Sequence, residues 1–562
     1  MTDIQASVAL KPYNVSYTDP IHTPKRSLSV ICIGAGVSGL LLAYKLDRHF
    51  DAFDLRMYEK NPDTGGTWFE NRYPGCACDV PAHCYTWSFE PKADWCETYA
   101  SSAEIQKYFK DFASKYNLNR FVKVSHEVIA ATWNEDSGLW TVDIRNNLNG
   151  NVFRDSARVL MNCGGVLNSW QWPAIQGLHD FRGPLLHSAN WDKSVSLEGK
   201  SVGLIGNGSS GIQILPAIQP IASKLTTFIR SPTWVAPLIG LDEHRRYTEE
   251  EKKNYATDPE SHLQMRKQIE ERINSAYEMF FDQSDKQKSI RSVVESKMKE
   301  RLNNPQLQEK LIPSFSVGCR RLTPGVNYLE ALSADNVQPI FGEIQRVYEN
   351  GIVMDDGTKY PIDVLICATG FDTTFKSRFA LKGRSQKYLS NMWKAKPEGY
   401  FGLAVSGFPN YFMTLGPNCP VGNGPVLIAI ELQIQYVITM LSKMRKENIM
   451  AFDVSREAQD ELNQHKDNYM EKMIWSEDCR SWYKTGPGAG KITALWPGST
   501  LHYLEAIKQP RYEDWKFTYP TNRYAYLGNG LSTAEKRTGD LSWYIKNKDE
   551  SVIDPCLKTS RL

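Results

Sequence analysis

Ser27-Leu28-Ser29-Val30-Ile31-Cys32-Ile33-Gly34-Ala35-Gly36-Val37-Ser38-Gly39 decides the fold of this chain. An apolar, β-rich run feeds three glycines at G-x-G-x-x-G spacing, and residues 37–46 then carry a helical pattern. In such a strand–turn–helix unit the glycines permit a tight turn. They let a pyrophosphate approach the helix N-terminus, where free N–H groups and the helix dipole favour negative charge. Glu59 ends the next predicted strand, residues 55–59, about twenty residues beyond the last glycine, where an acid can hydrogen-bond ribose hydroxyls. Nothing basic replaces this acid, so a 2′-phosphate would be repelled and FAD or NAD is expected at this first site.

The device recurs. Gly206-Asn207-Gly208-Ser209-Ser210-Gly211 follows the apolar run 201–205, and the strand predicted over 225–229 ends at Arg230-Ser231. An arginine at that strand end can pair with a 2′-phosphate through charge-assisted hydrogen bonds of about 1.5–3 kcal/mol. The second nucleotide is therefore expected to be NADPH. Two dinucleotides held in one chain imply electron transfer between them, hence a redox enzyme.

Composition fits that reading. The chain has 562 residues, 41% hydrophobic and 23% charged, enough for more than one domain of ordinary globular type. Lys+Arg 66 against Asp+Glu 64 argues against a nucleic-acid partner. No uninterrupted apolar run is long enough to predict a membrane span, the longest candidate being residues 30–42, and residues 1–26 lack a secretory pattern. Eleven scattered cysteines predict a cytoplasmic protein with reduced thiols. Cys76-Ala77-Cys78 has neither thiol-redox nor metal spacing, so no metal site is expected.

The predicted fold class is α/β, with two Rossmann-like dinucleotide-binding domains (FAD and NADPH) and a helical insertion. The boundaries read as an N-terminal arm at 1–26, a first part of the FAD domain at 27–170, and a first part of the NADPH domain at 171–241. Residues 242–312 are charged, glycine-free and helical in pattern; 313–367 complete the NADPH domain and 368–562 the FAD domain with its tail. Helices are expected over 105–116 and 455–473, and strands over 128–133, 140–144, 158–163 and within 351–371.

Between the two glycine motifs runs Phe181-Arg182-Gly183-Pro184-Leu185-Leu186-His187-Ser188-Ala189-Asn190-Trp191-Asp192. Further segments are Gly65-Gly66-Thr67-Trp68 leading to Asn71-Arg72-Tyr73-Pro74-Gly75-Cys76-Ala77-Cys78-Asp79, Gly318-Cys319-Arg320-Arg321 before Tyr328, Ala368-Thr369-Gly370-Phe371-Asp372, and Ser481-Trp482-Tyr483-Lys484 with Gly490-Lys491. With these segments the chain resembles the type I Baeyer–Villiger monooxygenases, in their fungal branch, over nearly its whole length after residue 26. The resemblance implies FAD and NADPH as cofactors and O2 as co-substrate. It also implies a C4a-peroxyflavin oxidant and insertion of one oxygen beside a ketone to give an ester or lactone, in secondary metabolism on a bulky apolar substrate.

The resemblance further implies site residues. Arg321 would stand beside the flavin as a permanent cation, keeping the oxidant anionic and stabilising the tetrahedral adduct, with Asp79 orienting it. Gly34, Gly36, Gly39, Glu59, Gly66, Thr67, Trp68, Asp79 and Tyr85 would hold FAD. Gly206, Gly208, Ser209, Ser210, Gly211, Arg230, Ser231, Arg320 and Trp482 would hold NADPH, Arg320 standing where relatives often carry Lys. Phe181, Gly183, His187, Trp191 and Asp192 form the fingerprint, with His187 in a hinge between domains. Gly416-Pro417-Asn418 is expected near the flavin ring, and the following Cys419-Pro420-Val421-Gly422-Asn423-Gly424 resembles fungal members. A monooxygenase acting on nitrogen or sulfur, or a nucleotide-binding scaffold without activity, shares the two glycine motifs. Oligomeric state and the identity of the ketone stay open at this level.

Overall fold

In the computed structural model, the structure describes residues 13–237, 244–419, 422–485, 490–536 and 539–547. Two five-stranded sheets organise it. The first runs Tyr411–Met413, Val159–Asn162, Ser29–Ile33, Asp54–Tyr58, Val122–Lys123, every neighbouring pair parallel. The second runs Val337–Phe341, Lys224–Ile229, Ser201–Ile205, Val364–Cys367, Leu185–His187, again all parallel. Each glycine motif follows a central strand flanked on one side by the next strand of its unit and on the other by a strand from much later in the chain. This is the switch point at which open parallel sheets leave a crevice for a ligand. Strands here are apolar on both faces because helices cover both sides: Val30, Ile31, Cys32, Val202 and Leu204 are fully buried.

The helix after the first motif is Val37–His49, three residues longer than the sequence suggests, and the second is Ser209–Ile218. Strand Asp54–Tyr58 stops one residue before Glu59. Two antiparallel sheets flank the parallel ones: Ala380–Lys382, His126–Asn134, Leu139–Asn146, Val152–Ala157, and Ile344–Tyr348, Gly351–Met354, Lys359–Pro361. Strand Val152–Ala157 is largely exposed and polar, which hides it from a reading by apolar alternation.

The charged region after residue 244 forms helices Glu249–Thr257, Pro259–Asn274, Asp285–Leu302 and Pro305–Leu311. Each start is written into the sequence. Thr248 and Glu251 make a reciprocal capping box, and Asp258, Ser284 and Asn304 cap the next three, two of which begin with proline.

Two features correct the sequence reading. The longest described helix, Val426–Glu447, was not anticipated; its most apolar 18-residue window has a mean hydropathy of 1.4, and 61% of that window is buried inside the protein. By length and composition it is a candidate span that the sequence reading did not name. It is apolar on most sides because it is packed on most sides, which removes the amphipathic period. The second correction is a disulfide between Cys319 and Cys479, 160 residues apart, where reduced thiols were expected. Sequence spacing carries no sign of that pair, because tertiary folding alone brings the two segments together.

The chain divides into two compact units. Leu28–Met440 with Phe452–Lys516 contains both parallel sheets and all the residues discussed below. The other comprises Met1–Ser27, Leu441–Ala451 and Phe517–Leu562. Within it the N-terminal arm meets the C-terminal region: Ile21 N–H donates to Leu531 O (3.0 Å) and Asn529 N–H to Asp19 O (2.8 Å).

Candidate active site

The first glycine motif meets the loop at Gly65-Gly66. A Cβ on Gly66 would lie 2.9 Å from Gly36 Cα, so both chains must be bare for them to pass. Gly39 seats the helix on the turn: a Cβ there would sit 2.2 Å from Gly34 O. No acidic residue occupies the first helical turn, so the N–H groups face no competing carboxylate. Glu59 is buried; its carboxylate accepts from Ala35 N–H (2.8 Å) and Asn61 N–H (2.9 Å). Burial raises its pKa, and those two donors oppose the shift. Thr67 opens the short helix Thr67–Glu70, and Trp68 meets Tyr85 edge-on at 5.5 Å. The Trp68 Nε1–H is buried without a partner among the described residues. A bare-glycine cradle, an uncompensated helix N-terminus and an unmet buried donor beside them fit a dinucleotide.

The second motif repeats the geometry. A Cβ on Gly211 would lie 2.1 Å from Gly206 O, whereas one on Gly208 would meet nothing within 4 Å. Helix Ser209–Ile218 also starts without an acid. Ser210 lies in its first turn and Ser209 Oγ lies 2.8 Å from Thr323 Oγ1. Asn207 Nδ2 donates to Ser231 O (2.9 Å), tying the turn to the neighbouring strand end. Arg230 is solvent-exposed there, its only ion-pair neighbour among the described residues being Glu343 at 4.0 Å. Arg320 donates to Pro232 O (3.0 Å); burial, then the nearby Arg230 cation, lowers its pKa. The structure thus brings Arg230 and Arg320 into one basic patch.

Asp79 and Arg321, 242 residues apart, form a two-point ion pair. Arg321 Nε–H donates to Asp79 Oδ2 (2.7 Å) and Nη2–H to Oδ1 (2.9 Å), with side-chain exposures of 15% and 22%. Burial alone would lower the Arg321 pKa; the Asp79 carboxylate more than reverses this, so the guanidinium stays charged. Burial pushes the Tyr483 hydroxyl up to about 12, with the Arg321 cation pulling the other way. Arg321, Arg320 and Tyr483 line one pocket that opens to solvent. Its other walls are Ile273, Ala276, Met279 and Phe280 from the helical insertion, with Gly318, Leu322, Gly422, Asn423 and Gly424.

His187 is fully buried at the end of edge strand Leu185–His187, pairing in register with Cys367. Its Nδ1 accepts from Ala189 N–H (3.1 Å), its Nε2 lies 3.3 Å from Thr369 Oγ1, and Trp170 stacks on it at 4.6 Å. Burial lowers its pKa to about 4, so the ring is neutral. Phe181 is buried, and a Cβ on Gly183 would strike Asp363 O at 2.2 Å. Trp191 packs half-buried on the core, while Asp192 accepts from Ser194. Trp482 is half-buried beside Tyr483; residues 486–489 of its loop, and Pro420 and Val421, lie outside the described residues.

The model of the flavin-binding monooxygenase-like family matches residues 27–381, well over half of the chain. The chain belongs to that family. Within it, the FAD-binding monooxygenase tazF of Aspergillus terreus is 40% identical over 547 residues, covering 95% of this chain and 97% of that protein. A Baeyer-Villiger monooxygenase of Pseudomonas aeruginosa is 32% identical over 494 residues, 88% of this chain and 92% of its own. Among solved structures, OTEMO in complex with FAD and NADP aligns with a TM-score of 0.77 at 25% identity, over 88% of this chain and 100% of that one. Cyclohexanone monooxygenase from Rhodococcus sp. Phi1 bound to NADP+ aligns at 0.75 and 26%, with the same coverage. For this family member, the sequence reading passed over the wall residues Ile273, Ala276, Met279 and Phe280. Ile273 lies in the last turn of helix Pro259–Asn274 and Met279 and Phe280 in the short turn Tyr277–Phe280, so they share no single helical face and no sequence period marks them.

Proposed function

We propose that this flavin monooxygenase is a Baeyer–Villiger enzyme. It uses FAD and NADPH to place one atom of O2 beside the carbonyl of a bulky apolar ketone of secondary metabolism, giving an ester or lactone. The observation that carries the reading is a guanidinium fixed by two bonds to Asp79 in the wall of a largely apolar cavity. Residues 27–170 and 368–562 are assigned to the FAD part, and 171–241 and 313–367 to the NADPH part, with the insertion at 242–312 walling the pocket. Gly34, Gly36, Gly39, Glu59, Gly66, Thr67, Trp68 and Tyr85 hold the flavin nucleotide; Gly206, Gly208, Gly211, Arg230, Ser231 and Arg320 hold NADPH.

Bound flavin, reduced by NADPH, supplies the activation of O2. The chain supplies placement and charge. Arg321 cannot lose its proton at working pH, so it offers a constant positive site to negative charge developing on the substrate's carbonyl oxygen. Asp79 fixes the plane of the guanidinium, which spares reorganisation as that charge appears. The apolar walls keep the local dielectric low and strengthen the interaction. The test is direct. Purified protein is expected to be yellow, to bleach with NADPH without air, and to give esters carrying one labelled atom when ketones are incubated under labelled O2. Colourless protein defeats the proposal; oxides of amine or thioether probes with no ester from any ketone would move it to heteroatom oxidation.

A further inference from the structure

The cavity holding Arg321 has a second polar point whose partner is missing. Asn423 lines the cavity and is only 7% exposed. One end of its side-chain amide is fixed: the single proton of the Thr500 hydroxyl is shared between Asn423 O (2.7 Å) and Asn423 Oδ1 (3.0 Å). The other end, Nδ2, is buried with no partner among the described residues. The other polar groups of the wall are engaged, Arg321 by Asp79 and Arg320 by Pro232 O. Buried amide donors are nearly always met, so an unmet one at a cavity wall marks a place where a ligand completes the bond.

We propose that Asn423 is a substrate-binding residue, its amide donating to a second oxygen on a substrate whose ketone carbonyl faces Arg321. This rests on the Baeyer–Villiger reading and narrows it to a substrate class: an apolar ketone carrying a further carbonyl, ether or hydroxyl oxygen. The neighbours of Asn423 support the assignment. Gly422 and Gly424 present no side chains to screen the amide. A Cβ on Gly424 would come to 3.5 Å from Ile273 Cγ2, so the loop closes on the insertion and leaves Asn423 as its polar feature. Ile273, Ala276, Met279 and Phe280 take the hydrocarbon body. A site built around a donor rejects analogues lacking the acceptor, because the buried amide is then left unpaired.

The test uses the flavin-loaded enzyme with 2-tetralone and its ring-methoxy and ring-hydroxy isomers. Dissociation constants come from fluorescence titration, and KM and kcat from product formation. Wild type is expected to bind at least one oxygenated isomer about tenfold or more tightly than 2-tetralone. In Asn423→Leu and in the near-isosteric Asn423→Asp that ratio falls towards one through KM, with flavin content retained. Absence of any preference in wild type, or its persistence in either variant, overturns the assignment. Loss of flavin from the variants with the preference intact overturns it too, since the amide would then serve the cofactor. The titrations decide the matter even if no ester forms, which separates failure of this inference from failure of the proposed reaction.

Discussion

Asp79→Ala removes the partner that sets the plane of the Arg321 guanidinium. Two charge-assisted bonds, 2.7 and 2.9 Å long, disappear from a cation whose side chain is 15% exposed. Breaking one side of a buried pair is worth about 3–5 kcal/mol, because the remaining charge stays uncompensated. If only about 3 kcal/mol of this falls on the oxygen-transfer step, that step slows roughly 150-fold. Flavin reduction should change far less, so product formed per NADPH consumed collapses while NADPH oxidation continues. Arg321→Ala should lose more, since the cation itself is gone. If Asp79 acts only through Arg321, the double variant is no worse than Arg321→Ala alone. Measuring kcat/KM for product and the product-to-NADPH ratio in all four proteins closes the cycle. Additive losses, or an Asp79→Ala enzyme that keeps its ratio, would refute the positioning argument.

Arg230→Ala should lower the preference for NADPH over NADH about tenfold, since one charge-assisted contact to a 2′-phosphate is lost; an unchanged ratio of KM values sinks that assignment. Gly208→Ala should fold as wild type, because its Cβ meets nothing within 4 Å, yet raise KM for NADPH by crowding the space left for phosphate; thermal midpoints without nucleotide check the first half. His187 is held neutral down to about 4 against an ordinary 6.5. The unfolded chain takes up that proton first as pH falls, so the ring's contribution to stability is complete above 6.5 and is lost between 6.5 and about 4. The loss is roughly 3 kcal/mol, and His187→Gln should remove that much of the slope in thermal midpoints across this range.

Both parallel sheets were legible because their signals are local. A run of apolar β-formers, bare turns and a helix without acids in its first turn specify a mononucleotide unit wherever they occur. Glu59 and Arg230 could be placed by counting from the glycines, since one strand and one helix have nearly fixed lengths. The helical insertion was legible from its charge, its lack of glycine and its helical period, whereas its caps, Thr248, Asp258, Ser284 and Asn304, came only with the structure. Val426–Glu447 was not, because a helix packed on most sides loses the period that betrays helices.

The amino-acid order by itself determined two nucleotide-binding units, the sign of charge at the strand end after each glycine motif and the presence of paired arginines after Cys319. Only the tertiary structure decided which carboxylate meets Arg321, that Cys319 bonds to Cys479, and that apolar residues of the insertion and the loop at Asn423 line one pocket. The division has a physical cause. Backbone geometry is written within a dozen residues, whereas these contacts join segments 160 or 242 residues apart and exist only once the chain has packed.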